Sequence, residues 1–93
     1  MARRIRESII EKYLIERCKA ARGKCYKVQP IGNRGAPDRV CALPGRLFFV
    51  ETKKPKGSQY EALQLRTHQK LRDMGHTVVV CFTREQVDEL FVE

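Results

Sequence analysis

Residues 35–54 read Gly-Ala-Pro-Asp-Arg-Val-Cys-Ala-Leu-Pro-Gly-Arg-Leu-Phe-Phe-Val-Glu-Thr-Lys-Lys. Two short apolar runs flank Pro44-Gly45, and the pattern predicts a β-hairpin with strands over 38–43 and 46–53. An L-Pro-Gly pair suits a type II turn better than the primed turns of tight hairpins, so a loop one or two residues longer at each end is the competing expectation. If the hairpin is symmetric about the turn, Leu43 faces Arg46, Cys41 faces Phe48 and Asp38 faces Glu51. Directly opposed residues share a sheet face, with Cβ atoms about 5 Å apart. Lys53, two positions past Glu51, points the same way. Register alone therefore gathers two carboxylates and a lysine, and a one-residue bulge at the turn would undo that. Val40, Ala42, Leu47 and Phe49 line the charged face below them, while Cys41, Leu43, Phe48 and Val50 line the other. A hairpin apolar on both faces belongs in the middle of a sheet covered by helices.

The flanking sequence supplies those helices. Ile10, Leu14, Cys18 and Ala21 form one apolar stripe, widened by Ile9 and Tyr13, and predict a helix over 3–22 with Gly23 as its C′ stop. Glu7 falls nearer the centre of that stripe than Glu11. An acid there either points into a site or sits on the surface, where it favours the positive end of the helix dipole. Residues 25–29 read as a short strand and 30–37 as a loop, with Pro37 delivering the chain extended into Asp38. After a linker at 55–58, residues 59–74 read as a second helix stopped by Gly75, with Leu71 and Met74 as core positions and Gln64 on the buried side. The β-branched run at 77–82 is a buried strand, and Thr83 caps a last helix over 85–91. The order is α-β-β-β-α-β-α. The strand-helix-strand step from the third to the fourth strand predicts a right-handed parallel crossover.

A chain of 93 residues is sized for a single domain with one modest core. Its net charge of +8 is uneven. Residues 1–56 hold fifteen Lys/Arg against five Asp/Glu, and residues 57–93 hold four against six. A one-sided positive field favours a polyanionic partner. No apolar run is long enough to span a bilayer, and no apolar signal region follows the basic N-terminus, so a cytoplasmic protein is expected. Cys18, Cys25, Cys41 and Cys81 lack the close pairs of a zinc site, and His68 and His76 are not spaced to complete one. The expectation is free thiols and no structural zinc.

Two carboxylates opposed on a sheet face repel unless something compensates. A divalent cation such as Mg²⁺ does so, taking one or two carboxylates together with water and phosphate oxygens. Such an ion lowers the pKa of a bound water and stabilises charge building on a phosphodiester. Lys53 is then placed to hold the attacking water or to neutralise the developing phosphorane. The competing reading of the trio is a surface ion-pair cluster, which the apolar flanks disfavour because charge buried there without purpose is costly.

Pro37-Asp38 followed by Glu51-Thr52-Lys53 resembles the PD-(D/E)XK nuclease signature. More narrowly, Gly35-Ala36-Pro37-Asp38-Arg39, Phe49-Val50-Glu51-Thr52-Lys53, Gln64 and Gly75 resemble the virus-type replication-repair nuclease (VRR-NUC) domain in its small, stand-alone phage form. The resemblance runs from Glu7 to about Phe82. It implies a restriction-endonuclease-like α/β core, in the order αβββαβ(α), with a mixed four-stranded sheet flanked by helices. It implies Asp38 and Glu51 as metal ligands for Mg²⁺ or Mn²⁺, Glu7 as the helix acid with Glu11 the adjacent candidate, and the Thr52 backbone carbonyl as a further ligand. Lys53 is implied as the catalytic lysine and Gln64 as the helix glutamine reaching toward the site. It also implies Holliday-junction-resolvase-like cutting of branched or four-way-junction DNA by a homodimer.

Lys27, Arg34, Arg39, Lys54 and Lys56 lie around the site in sequence and are expected to bind phosphates, giving salt-sensitive affinity without sequence readout. His68 follows Gln64 by one turn, and a catalytic role for it would need hydrogen-bond reach to the reacting group. His76 is expected to be exposed. The alternative function is a nucleic-acid-binding module of nuclease fold without cleavage activity. The intact Asp38, Glu51 and Lys53 disfavour it, because a pure binder needs no two acids in a basic cleft. A sequence-specific restriction-type enzyme is a further reading, for which the chain is short of a recognition domain.

Overall fold

The computed structural model describes residues 7–29, 35–53 and 62–92. Seven elements run in chain order: α1 (Glu7–Ala20), β1 (Lys24–Lys27), β2 (Arg39–Leu43), β3 (Arg46–Thr52), α2 (Ala62–Asp73), β4 (Val78–Cys81) and α3 (Arg84–Glu89). The strands form one sheet in the order β1-β2-β3-β4. The first two pairings are antiparallel and β3–β4 is parallel, the arrangement that the α2 crossover requires. The central place of the hairpin follows from its composition, since β2 and β3 are flanked by strands on both sides.

The hairpin is symmetric. Leu43 pairs with Arg46, Cys41 with Phe48 and Arg39 with Val50. The loop is therefore the two residues Pro44 and Gly45 and no longer. Gly45 takes φ +74°, the left-handed value that the third position of a type II turn demands. The tip is fastened from below, where the Arg46 guanidinium donates to the Leu90 carbonyl and stacks 4.6 Å from the Phe48 ring.

Alternation along β3 separates the two faces of the sheet. Phe48 and Val50 point to one side, against Ile10, Leu14 and Cys18 of α1 and against Val87 of α3 and Leu90 just beyond it, and all of these are buried. Burying a side chain the size of Phe48 or Leu14 is worth roughly 1.5–3 kcal/mol, so this layer is the main apolar contribution to stability. Tyr13 donates to Asp88 at 2.5 Å and Arg17 lies 3.4 Å from the same carboxylate, which ties α1 to α3. Thr83 caps α3 as expected. Its hydroxyl accepts from the Gln86 amide, and the Gln86 side chain accepts from the Thr83 amide in return.

Three expectations change. The left-handed residue after α1 is Arg22 (φ +66°), and the Gly23 amide reaches back to the Cys18 carbonyl at 2.8 Å. Gly23 is glycine for a different reason: a Cβ there would stand 2.3 Å from the Ala42 carbonyl oxygen. Met74 is not a core residue; it is 66% exposed at the end of α2, and Leu71 is only half-buried. Leu47 is likewise exposed at the hairpin tip. Gly75 (φ +91°) ends the α2 segment as expected, with the His76 amide bonding the Leu71 carbonyl.

Candidate active site

Asp38 stands one step beyond the last β2–β3 pair, opposite Glu51 if the register is continued. Its own carbonyl accepts from the Val28 amide at 2.9 Å, which fixes the backbone here against the end of β1. Its carboxylate is held by Thr52. The Thr52 amide donates to Oδ1 at 3.2 Å and the Thr52 hydroxyl to Oδ2 at 2.9 Å. Only the backbone carbonyl of Thr52 was expected to matter, yet its buried side chain orients the first acid of the motif. Strand alternation contains the signal for this: Thr52 points away from Glu51 and Lys53, toward the apolar layer where a hydroxyl needs a partner.

Glu51 is buried, 5% exposed, with Lys53 Nζ 3.9 Å from Oε2. Glu51 is in β3 and Lys53 follows its last residue by one, so the two, at i and i+2, share a face. The Lys53 amide donates to the Cys81 carbonyl at 2.9 Å, so the lysine backbone is anchored to the neighbouring parallel strand. From α2, His68 reaches the same carboxylate, with Nε2 3.7 Å from Oε1. His68 is fully buried. Burial, with Arg72 and Lys53 nearby, pushes its pKa down to about 4. The ring is therefore neutral at pH 7, and its approach to Glu51 is a contact rather than an ion pair. Gln64, one helical turn before His68, is half-buried on the same face of α2.

Of the remaining expected residues, Glu7 opens α1. The path of α1 can be read from two contacts. Cys18 lies beside Cys41, and Glu11 Oε2 accepts from Arg39 Nε at 3.1 Å. Moving back along the helix thus follows β2 toward Asp38, and the first turn of α1 falls at the Asp38 end of the strand. Glu11, the adjacent candidate, is committed to Arg39. Arg39, read from the sequence as a phosphate contact, has a side chain 12% exposed that faces α1 and pairs with Glu11, on the side of the sheet away from Glu51. Lys27 is exposed at the end of the edge strand β1. Arg34, Lys54 and Lys56 lie outside the described residues.

The donor set fits a hard divalent cation. Two carboxylates, Asp38 just before β2 and the buried Glu51 in β3, supply oxygen ligands of the kind Mg²⁺ and Mn²⁺ take. Each carboxylate oxygen carries two acceptor positions, so the hydrogen bonds from Thr52 orient Asp38 and leave capacity for a metal.

A mixed four-stranded sheet flanked by helices, with Glu51 and Lys53 3.9 Å apart at the end of a central hairpin and Asp38 held by Thr52 beside them, defines a nuclease fold of the restriction-endonuclease-like class. Comparison with known proteins narrows the class. No protein-family model matches the chain. A protein named "Putative nuclease p44", from Acyrthosiphon pisum secondary endosymbiont phage 1, is 46% identical over 79 residues, 84% of each chain. A solved structure of a VRR_NUC domain superposes with a TM-score of 0.84 at 39% identity, covering 90% of this chain and 91% of that one. The chain belongs to the VRR-NUC nuclease family.

Proposed function

We propose that residues 1–93 act as one VRR-NUC nuclease domain, a Mg²⁺- or Mn²⁺-dependent endonuclease that hydrolyses phosphodiester bonds in branched DNA. The observation carrying this reading is the buried Glu51 carboxylate with Lys53 beside it, across the hairpin from a carboxylate already oriented by Thr52. When bound, the cation supplies an activated water and offsets charge on the scissile phosphate. Asp38 and Glu51 hold it, with Glu7 and the Thr52 carbonyl as further ligands. Lys53 donates to the attacking water or to the phosphorane oxygens. Gln64 orients groups at the α2 side. Lys27, Arg34, Lys54 and Lys56 contact the DNA backbone, which accords with the excess of positive charge in residues 1–56. Arg39 joins them only by giving up Glu11.

Each chain carries one such site, and paired cuts in a four-way junction need two, so a C₂ homodimer is the functional unit. Its place of action is the cytoplasm of the cell that makes it; among the described residues no helix is long and apolar enough to cross a membrane.

The test is cleavage of a four-way junction, a flap and a linear duplex, each with Mg²⁺, with Mn²⁺ and with chelator. Metal-dependent cutting of the branched substrates is expected. It should be lost in Lys53→Ala and in Asp38→Ala, both still folded by circular dichroism. Equal cutting in chelator, or full activity in Lys53→Ala, overturns the mechanism. Junction cleavage by a protein that light scattering finds monomeric at micromolar concentration overturns the dimer.

A further inference from the structure

Cys18, Cys25 and Cys41 are well separated in sequence, yet the fold brings their three Sγ atoms within 4.8 Å of one another. Cys25 and Cys41 are directly paired across β1 and β2. Cys18 lies in the last turns of α1, and the turn at Arg22 and Gly23 folds the chain back so that it joins that pair. The close approach of Gly23 to Ala42, the neighbour of Cys41, holds the helix end against the strand. All three are free thiols. Cys18 and Cys41 are fully buried, whereas Cys25 is half-buried and gives the group one open side.

A cysteine buried singly packs as a small hydrophobe. Three converging sulfurs are a ligand set. Sulfurs that share one ion at about 2.3 Å stand about 4 Å apart, close to what the fold already provides. A disulfide would use two of the three and need them about 2 Å apart. Hydrogen bonds from the Cys18 and Cys41 thiols, with Arg39 nearby, draw the Cys25 thiol downward against the cost of burial. A cation held by all three sulfurs would displace their protons, since a thiolate and not a thiol is the ligand. Three thiolates around a divalent ion leave one net negative charge; around a monovalent ion they leave two in an apolar layer, which costs more.

We propose that Cys18, Cys25 and Cys41 form a three-thiolate site for a divalent thiophilic d¹⁰ ion, Zn²⁺ foremost, which fastens the end of α1 to the β1–β2 pair. The site lies on the sheet face opposite Glu51 and Lys53 and is independent of the nuclease metal. Zinc sites legible in a sequence have close neighbouring ligands, whereas this group is assembled by a helix end and two strands.

The full chain, purified reduced and without oxygen, tests this by titration with Co²⁺ as a spectroscopic probe. One equivalent should bind with a thiolate-to-cobalt charge-transfer band that Zn²⁺ bleaches. Cys25→Ser should weaken binding at least ~10-fold, by analogy with the loss of a metal-site group. Cys81→Ala and Asp38→Asn should bind as the parent does. Should Cys25→Ser fail to fold, alkylation of the parent protein decides, because Zn²⁺ should protect Cys25 from iodoacetamide. The site is overturned by absence of the band in folded, reduced protein, by parental affinity in Cys25→Ser, or by alkylation unaffected by Zn²⁺. A disulfide that forms in air, with no metal uptake after reduction, overturns it equally. Uptake of Cu⁺ alone overturns the divalent assignment.

Discussion

The Thr52 hydroxyl donates to Asp38 Oδ2 at 2.9 Å while the Thr52 amide donates to Oδ1 at 3.2 Å, so a single residue grips both oxygens of the acid that leads into the neighbouring strand. Under the proposed mechanism the grip makes Thr52 a positioning residue. Thr52→Val keeps the shape and the amide but deletes the hydroxyl, leaving Asp38 turned by one bond instead of two. Apparent Mg²⁺ affinity or cleavage rate should fall roughly 10–100-fold, the usual effect of removing a partner from a metal ligand. Thr52→Ser should restore it. A Mg²⁺ titration of cleavage checks both, and parental activity in Thr52→Val would mean that the hydroxyl does not set the carboxylate.

The two acids of α1 should separate cleanly. Glu11 is bonded to an Arg39 side chain only 12% exposed, so Glu11→Gln leaves that cation poorly paired and should cost about 1–2 kcal/mol in urea unfolding. Glu7→Gln should leave the unfolding midpoint in place and abolish cleavage. The reverse pattern, with stability lost at Glu7 and activity lost at Glu11, would assign the site acid to Glu11.

Gly35 and Gly75 have nearly the same positive φ, 92° and 91°. A Cβ at Gly75 meets nothing within 4 Å, whereas at Gly35 it would stand 2.9 Å from the Leu63 carbonyl oxygen. Gly75→Ala should therefore cost only the left-handed strain, about 1 kcal/mol, and Gly35→Ala distinctly more, about 2–3 kcal/mol. Thermal melts of the two variants compare them at matched φ. Equal losses would show that the first turn of α2 gives way at no cost.

His68 makes the metal-free protein sensitive to acid. Its folded pKa, about 4, lies below the ordinary value of 6.5. Between those values the unfolded chain binds the extra proton, so stability is complete above about pH 6.5 and declines as pH falls toward 4. The shift corresponds to at most ~3 kcal/mol. Urea unfolding in chelator at pH 7 and pH 4.5 measures it, and His68→Gln should flatten the difference. An unchanged pH slope in that variant would place the acid sensitivity elsewhere.

Much of this arrangement is legible in the sequence because period-two alternation and one turn fix it. Once Pro44-Gly45 is taken as the loop, the pairing of Cys41 with Phe48 follows by counting, and so does the meeting of Glu51 and Lys53. What counting cannot reach depends on tertiary packing. Met74 fits the apolar stripe of the helix before it, but it lies just past the helix end and is left 66% exposed. His68 carries no motif, and only the packing of α2 against β4 brings its side chain to Glu51. Arg39 looks like one more basic residue until α1 sets Glu11 against it. The three cysteines are far apart in sequence and meet only where a helix end crosses a strand pair.

The alternation of β3 also sets how the chain can change length. Phe48, Val50 and Thr52 serve the apolar layer, and Phe49, Glu51 and Lys53 serve the opposite face. Inserting or deleting one residue between the turn and Lys53 would exchange the two sets, driving charge into the core and the core into solvent. A pair of residues added at the tip, where Leu47 is already exposed and nothing crowds Gly45, preserves the parity. Lineages of this domain should therefore vary the hairpin by even steps at its tip and keep the stretch from Phe48 to Lys53 constant in length.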